Sequence, residues 1–165
     1  AEIAATAGLA PEEALLETVR ANEGRVNIIG RTLSVKNTEL AVENPNSFIA
    51  SDGAGYTAEE SKSGDLVHPR SFGAFAHFWH HFVRDLKVIS PQEAIQKITS
   101  TPAQKFGLKN RGLIAENYIA DLNLISIKSG KVGIENVLVS GRLAVKDGKL
   151  TGDRSGQVLK HGSTP

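Results

Sequence analysis

The sequence contains no cysteine and no methionine. Without cysteine there can be no disulfide, no thiolate nucleophile and no thiolate metal site, so any chemistry falls to His, Asp, Glu, Ser and Lys. No run approaches the ~18 consecutive apolar residues that a membrane span needs, and no charged-then-apolar leader opens the chain. An excess of one charge is missing too. Nineteen Lys and Arg stand against eighteen Asp and Glu, a net charge of +1, which is too even for a surface that neutralises nucleic-acid phosphates. The expectation is a soluble, cytoplasmic chain with neither nucleic acid nor membrane as a partner. Because no Met is present and the chain opens Ala1-Glu2-Ile3 inside a helical pattern, a truncated or cleaved start is also expected.

What is present suffices for a folded core: 165 residues, 40% of them hydrophobic and 22% charged, which argues against disorder. The even charge balance hides an asymmetry. Residues 1–66 carry five basic and eleven acidic side chains, and residues 67–165 carry fourteen and seven. These charges are scattered singly, which reads as two solvated surfaces with different local roles rather than an interaction tail.

The first half alternates helix and strand signals. A helical end at Ala1–Ala7 is stopped by Gly8, and Pro11 starts a second helix with Leu15, Leu16 and Val19 on one face, ended by Gly24. Val26-Asn27-Ile28-Ile29 reads as a short strand, Ser34–Glu43 as a helix, and Ser47-Phe48-Ile49-Ala50 as a second buried strand. Such alternation is what a parallel sheet covered by helices requires. From Asp52 to Val67 the chain is rich in Gly, Ser and acidic residues, with no sustained period, and reads as a loop of the length found over functional sites.

Beyond it, Phe72, Phe75, Trp79, Phe82 and Leu86 recur at spacings of three and four, predicting a helix with a core-facing aromatic stripe. Ser90-Pro91-Gln92-Glu93 carries a hydroxyl cap, Pro at the first helical position and a Glu able to reach back. Thr101-Pro102-Ala103-Gln104 repeats the start signal, and Gly107 should turn left-handed to stop that helix. After Gly112 the texture changes to short strands separated by Ser140-Gly141 and Asp147-Gly148, which is tight-turn chemistry and predicts an antiparallel meander.

Several residues could carry chemistry. Asp52 follows a strand candidate and precedes Gly53, so its carboxylate would emerge at the strand's C-terminal end, where parallel barrels place catalytic groups; an Asp-Gly pair is also ordinary turn material. Arg70 follows the stiffening Pro69, with His68 pushed toward an extended conformation, a presentation that suits anion recognition. The competing reading of Arg70 is a surface ion pair. Among His77, His80 and His81, imidazoles four apart on a helix could bind zinc, but no third ligand is apparent, and a solvated or packing role competes. Ser51 lacks the Gly-x-Ser-x-Gly elbow of a nucleophile.

Taken as an ordered series, Ser51-Asp52-Gly53, His68-Pro69-Arg70 with Phe72-Gly73, Ser90-Pro91-Gln92-Glu93-Ala94, Thr99 to Gly107, Gly112 to Leu124 and the pattern Gly152 to Leu159 resemble the N-acyl-D-amino-acid deacylases of the amidohydrolase superfamily. The resemblance implies an α/β fold: the last β/α units of a metal-dependent-hydrolase TIM barrel over residues 1–112, followed by antiparallel strands of a small β-sandwich domain over 113–165. It implies a divalent metal, usually zinc, with Asp52 as metal ligand and proton carrier, Arg70 holding the free carboxylate of an N-acyl amino acid, and His68 shaping that rim. The other metal ligands would lie outside this chain, in the remainder of the barrel, leaving the segment inactive by itself. A non-catalytic binding or assembly module that complements a separate N-terminal chain is the alternative.

Overall fold

A computed structural model describes residues 2–26, 33–57, 59, 67–128 and 131–160. The chain forms two compact units, 1–33 and 34–165. In the first, α1 (Glu2–Ala7) and α2 (Pro11–Ala21) pack through Ala4 and Ala14, both buried. Gly8 and Gly24 end these helices with φ of 64° and 79°, the left-handed geometry that glycine adopts at least cost. Leu15 and Leu16, two of the three residues on the predicted apolar face, are exposed. The strand expected at 26–29 falls on residues outside those described, except Val26, which lies in no strand.

The second unit begins with α3 (Val35–Glu43), capped by the Ser34 hydroxyl, which accepts from the Asn37 amide. Residues 47–50 lie in no regular element, and no strand ladder forms there among the described residues. That corrects the expectation of a β-strand. A parallel strand exists only through sequence-distant neighbours, and no described strand lies beside this segment.

Next comes α4 (Arg70–Phe78), continued by a π-helical segment over Trp79–Asp85. The wide turn is sealed by Leu86 N–H donating to the carbonyl of His81, five residues back. One extra residue per turn rotates the downstream face by about 100°. The predicted stripe is borne out at Trp79 and Phe82 and corrected at Phe72, Phe75 and Leu86. Phe72, Phe75 and Leu86 are largely exposed, while Phe78, Phe82 and Val83 are buried. These three join Val42, Ile89 and Ala94 in the core of the unit, against which Ile49, Trp79, Val88 and Ile98 pack. Each large side chain so buried contributes about 1.5–3 kcal/mol.

The predicted capping box at Ser90 is present at α5 (Pro91–Ile98): Ser90 Oγ accepts from the Glu93 amide, and the Glu93 carboxylate accepts from Ser90 N–H at 2.9 Å. Those bonds to Ser90 hold the Glu93 carboxyl below its ordinary range. The following helix, α6 (Ser100–Lys105), begins before the expected Thr101 cap, with Thr99 as N-cap and no side-chain cap bond. Gly107 is left-handed, as its place past the helix end required.

Gly112 has a φ of 82° and sits so close to α6 that a Cβ there would stand 2.6 Å from Ala103 Cβ and 2.9 Å from the Thr99 carbonyl oxygen. Replacing it with Ala combines left-handed strain with a clash against backbone, costing about 2–5 kcal/mol. Thermal unfolding of Gly112→Ala should fall by about 5–15 °C. A midpoint within the error of the wild type would show that α6 moves aside.

The chain then enters an antiparallel sheet of four strands in sequence order: β1 (Leu122–Lys128), β2 (Lys131–Val139), β3 (Arg142–Lys146) and β4 (Lys149–Leu150). At both predicted turns the central residues have positive φ, 51° and 77° at Ser140-Gly141 and 50° and 74° at Asp147-Gly148. This geometry matches the right-handed twist of the strands it joins. His80 Nε2 accepts from the Val132 amide at 3.0 Å, tying the π-helical segment to β2. Asp121 pairs with Arg111 and accepts from the Ser140 amide at 2.8 Å, fixing the entry to the sheet. No helix among the described residues is long and apolar enough to cross a membrane.

Candidate functional site

The 47–50 segment runs into Ser51-Asp52-Gly53, and each of these residues is placed by a local cause. Ser51 Oγ accepts from the Gly53 amide at 3.2 Å, closing a small turn. Asp52 adopts a φ of 47°, a left-handed conformation that Asp tolerates better than most side chains. Gly53 lies against the start of α4, where a Cβ would come within 2.8 Å of Ser71 Cα. Only glycine permits that approach. The close contact brings the end of that segment onto the N-terminus of α4, and Tyr56 rests on Phe72 with ring centroids 6.3 Å apart.

On the other side, His68-Pro69-Arg70 forms the entry to α4. His68 Nδ1 accepts from the Arg70 amide at 3.2 Å, while the His68 carbonyl accepts from Ser71 N–H at 3.0 Å. The imidazole thus satisfies one of the orphan donors at a helix start. It braces the backbone of Arg70 through the ring nitrogen that faces the chain.

The two arms meet at Asp52 and Arg70. Arg70 Nη1 stands 3.2 Å from Asp52 Oδ2, although 17 residues separate them in sequence. The Asp52 side chain is 85% exposed and that of Arg70 47%. An ion pair this open to solvent contributes about 0–1 kcal/mol, so stability does not account for a carboxylate held in left-handed geometry against a glycine that admits no side chain. Of the residues singled out from sequence, Asp52, Arg70 and His68 are brought together.

His77, His80 and His81 are not. His77 and His81 stack face to face, centroids 5.2 Å apart, and both rings meet the edge of Phe82. His80 bonds to the sheet. Among the described residues no three His, Cys, Asp or Glu side chains converge on a point that could hold a metal. The contacts these histidines make are packing contacts, with one another, with Phe82 and with the sheet.

Toward a divalent cation, Asp52 presents the hard, accessible carboxylate oxygen that such ions favour. One ligand does not make a site. A groove on the sheet, lined by Ile114, Leu122, Leu124, Leu138 and Leu143, includes none of the candidate residues.

One residue near the site has no motif to mark it in the sequence. Lys97, on α5, is 6% exposed and donates from Nζ to the carbonyls of Asn44 and Ser47 and to Ser47 Oγ. Its position three residues after Ala94 and beside Ile98, on the buried stripe of α5, was the available signal.

Residues 27–144 match the model of the amidohydrolase family. Over 108 residues the chain is 38% identical to the N-acyl-D-aspartate deacylase of Alcaligenes xylosoxydans xylosoxydans, covering 58% of this chain and 22% of that protein. A D-aminoacylase variant solved in complex with copper chloride superposes with a TM-score of 0.65 at 27% identity, over 77% of this chain and 28% of that one. The N-acyl-D-glutamate deacylase of Bordetella bronchiseptica, solved with zinc and a phosphonate inhibitor, shares the fold with a TM-score of 0.62 at 20% identity, over 90% of this chain and 32% of that one. The chain thus spans about a third or less of the length of each of these proteins.

Proposed function

The chain belongs to the amidohydrolase family, and on that premise we propose that it forms part of a metal-dependent hydrolase cleaving the amide bond of N-acyl-D-amino acids. The observation that carries the reading is the contact between Asp52 and Arg70. In an N-acyl amino acid the free carboxylate and the scissile carbonyl are separated only by the α-carbon and the amide nitrogen. Groups that handle the two ends of such a substrate must therefore be neighbours, one cationic and one able to carry a proton.

Arg70 fits the first role, because a guanidinium binds a carboxylate through parallel hydrogen bonds and the start of α4 adds the positive end of a helix dipole. Asp52 fits the second. Its carboxylate takes a proton from the attacking water and returns it to the departing amine nitrogen, which would otherwise leave as a strong base. His68 keeps Arg70 oriented by bracing its backbone.

A divalent cation, with zinc the first candidate, would supply the Lewis acidity that polarises the amide carbonyl and acidifies water. Asp52 would be its ligand from this chain, with further ligands from the remainder of the barrel. In that arrangement residues 1–112 supply the last β/α units of the barrel and residues 113–165 a share of a β-domain.

The test uses the full-length protein with N-acetyl-D-amino acids and their L enantiomers. Turnover of the D series is expected, abolished by a chelator and restored by zinc ions. A metal-replete protein that releases no amino acid from either series would overturn the reading.

A further inference from the structure

We infer that Lys97 is a positioning residue for Asp52, clamping through its side chain and its backbone together the 47–50 segment that delivers the carboxylate. The inference deepens the hydrolase reading and rests on it for the kinetic part of its test only.

The clamp has four bonds. Lys97 Nζ donates to the Asn44 carbonyl at 2.6 Å, the Ser47 carbonyl at 3.0 Å and Ser47 Oγ at 3.0 Å. The Lys97 carbonyl accepts from the Ile49 amide at 3.1 Å. An ammonium has three donors, and all three converge on the corner between α3 and the 47–50 segment. No carboxylate contacts Nζ in these bonds. A buried charge hydrogen-bonded only to neutral groups is costly to keep, and an aliphatic side chain would fill the same stripe of α5 beside Ala94 and Ile98. What an aliphatic group cannot do is gather the carbonyls of Asn44 and Ser47, which no strand ladder engages. Burial also holds the Lys97 amine below the ordinary lysine range, with the Glu93 charge opposing the shift.

The corner matters because it sets the position of the carboxylate downstream. Three residues beyond Ile49, Asp52 sits in a left-handed conformation that a non-glycine residue keeps only while its flanks are fixed. On its C-terminal side, Gly53 is wedged against Ser71. On its N-terminal side, the clamp is the fixed point. Arg70 lies on α4, which is anchored in the core through Phe78 and makes no bond to Lys97. Loss of the clamp should therefore free Asp52 and leave Arg70 in place.

The test compares Lys97→Met and the milder Ser47→Ala with wild type in the full-length protein. Amide hydrogen exchange is read at Ile49, at Gly53, and at Leu108, which is bonded to the Ala103 carbonyl outside the clamp. In Lys97→Met, exchange at Ile49 and Gly53 should accelerate at least about tenfold while Leu108 changes little. Ser47→Ala should move the same two amides less, and it decides the question alone if Lys97→Met does not fold. In hydrolysis of an N-acetyl-D-amino acid, kcat should fall about tenfold or more with KM nearly unchanged. Unchanged protection at Gly53, or acceleration of all three amides together, would reduce Lys97 to a purely structural role. Should wild type prove inactive, the exchange comparison still decides.

Discussion

Asp52→Asn in the full-length protein should lower kcat for N-acyl-D-amino acids by about 10²–10⁴-fold, the range that general acid–base groups contribute. Asn suits this test because it keeps the size of the side chain and accepts the left-handed backbone that Asp52 adopts at a φ of 47°, a geometry that most other residues resist. What it loses is the charge and the ability to carry a proton. The ion pair to Arg70 goes as well, but with a carboxylate 85% exposed that loss should move the thermal midpoint little. Circular dichroism and melting would then match wild type while turnover collapses. Metal content distinguishes the two duties proposed for Asp52: reduced zinc stoichiometry points to lost ligation, and full stoichiometry with no turnover points to the proton. Wild-type rates in this variant would remove Asp52 from the mechanism altogether.

The sequence is legible where a structure is specified by adjacent residues. The Ser90 capping box and the two left-handed turns at Ser140-Gly141 and Asp147-Gly148 are properties of a few neighbouring side chains and backbones, and each is written in the residues that form it. The aromatic stripe holds at Trp79 and Phe82 and fails at its other positions for a complementary reason. The periodicity of Phe72, Phe75, Trp79, Phe82 and Leu86 assumes a uniform 3.6-residue turn, and the single wide turn at Trp79–Asp85 has no signature in composition. The strand at Ser47–Ala50 fails because pairing belongs to the neighbour as much as to the segment.

The candidate site divides in the same way. Asp52, His68 and Arg70 can be picked out one by one as polar residues in special backbone settings. That Asp52 meets Arg70 depends on Gly53 lying against Ser71, a contact across the long loop that no local pattern encodes. Lys97 reaches partners 50 and 53 residues away, which is why its buried stripe position looks like an ordinary helix surface in the sequence.

Arg70→Ala provides the second large effect, and its signature differs from that of Asp52→Asn. If the guanidinium holds the substrate carboxylate through charge-assisted hydrogen bonds, its removal costs about 1.5–3 kcal/mol of binding, so KM should rise by about 10–150-fold. That binding is made equally in the ground and transition states, so kcat should change much less. A substrate whose carboxylate is blocked as an amide supplies the control, because it offers Arg70 no charge to hold. Its kinetics should be poor with wild type and no worse with Arg70→Ala. Arg70→Lys should fall between, since an ammonium keeps the charge but lacks the planar fork. The backbone amide of residue 70 still bonds to His68 Nδ1 in these variants, so the start of α4 is preserved and the comparison isolates the side chain. An unchanged KM for the free acid in Arg70→Ala would return the contact with Asp52 to an ordinary surface ion pair.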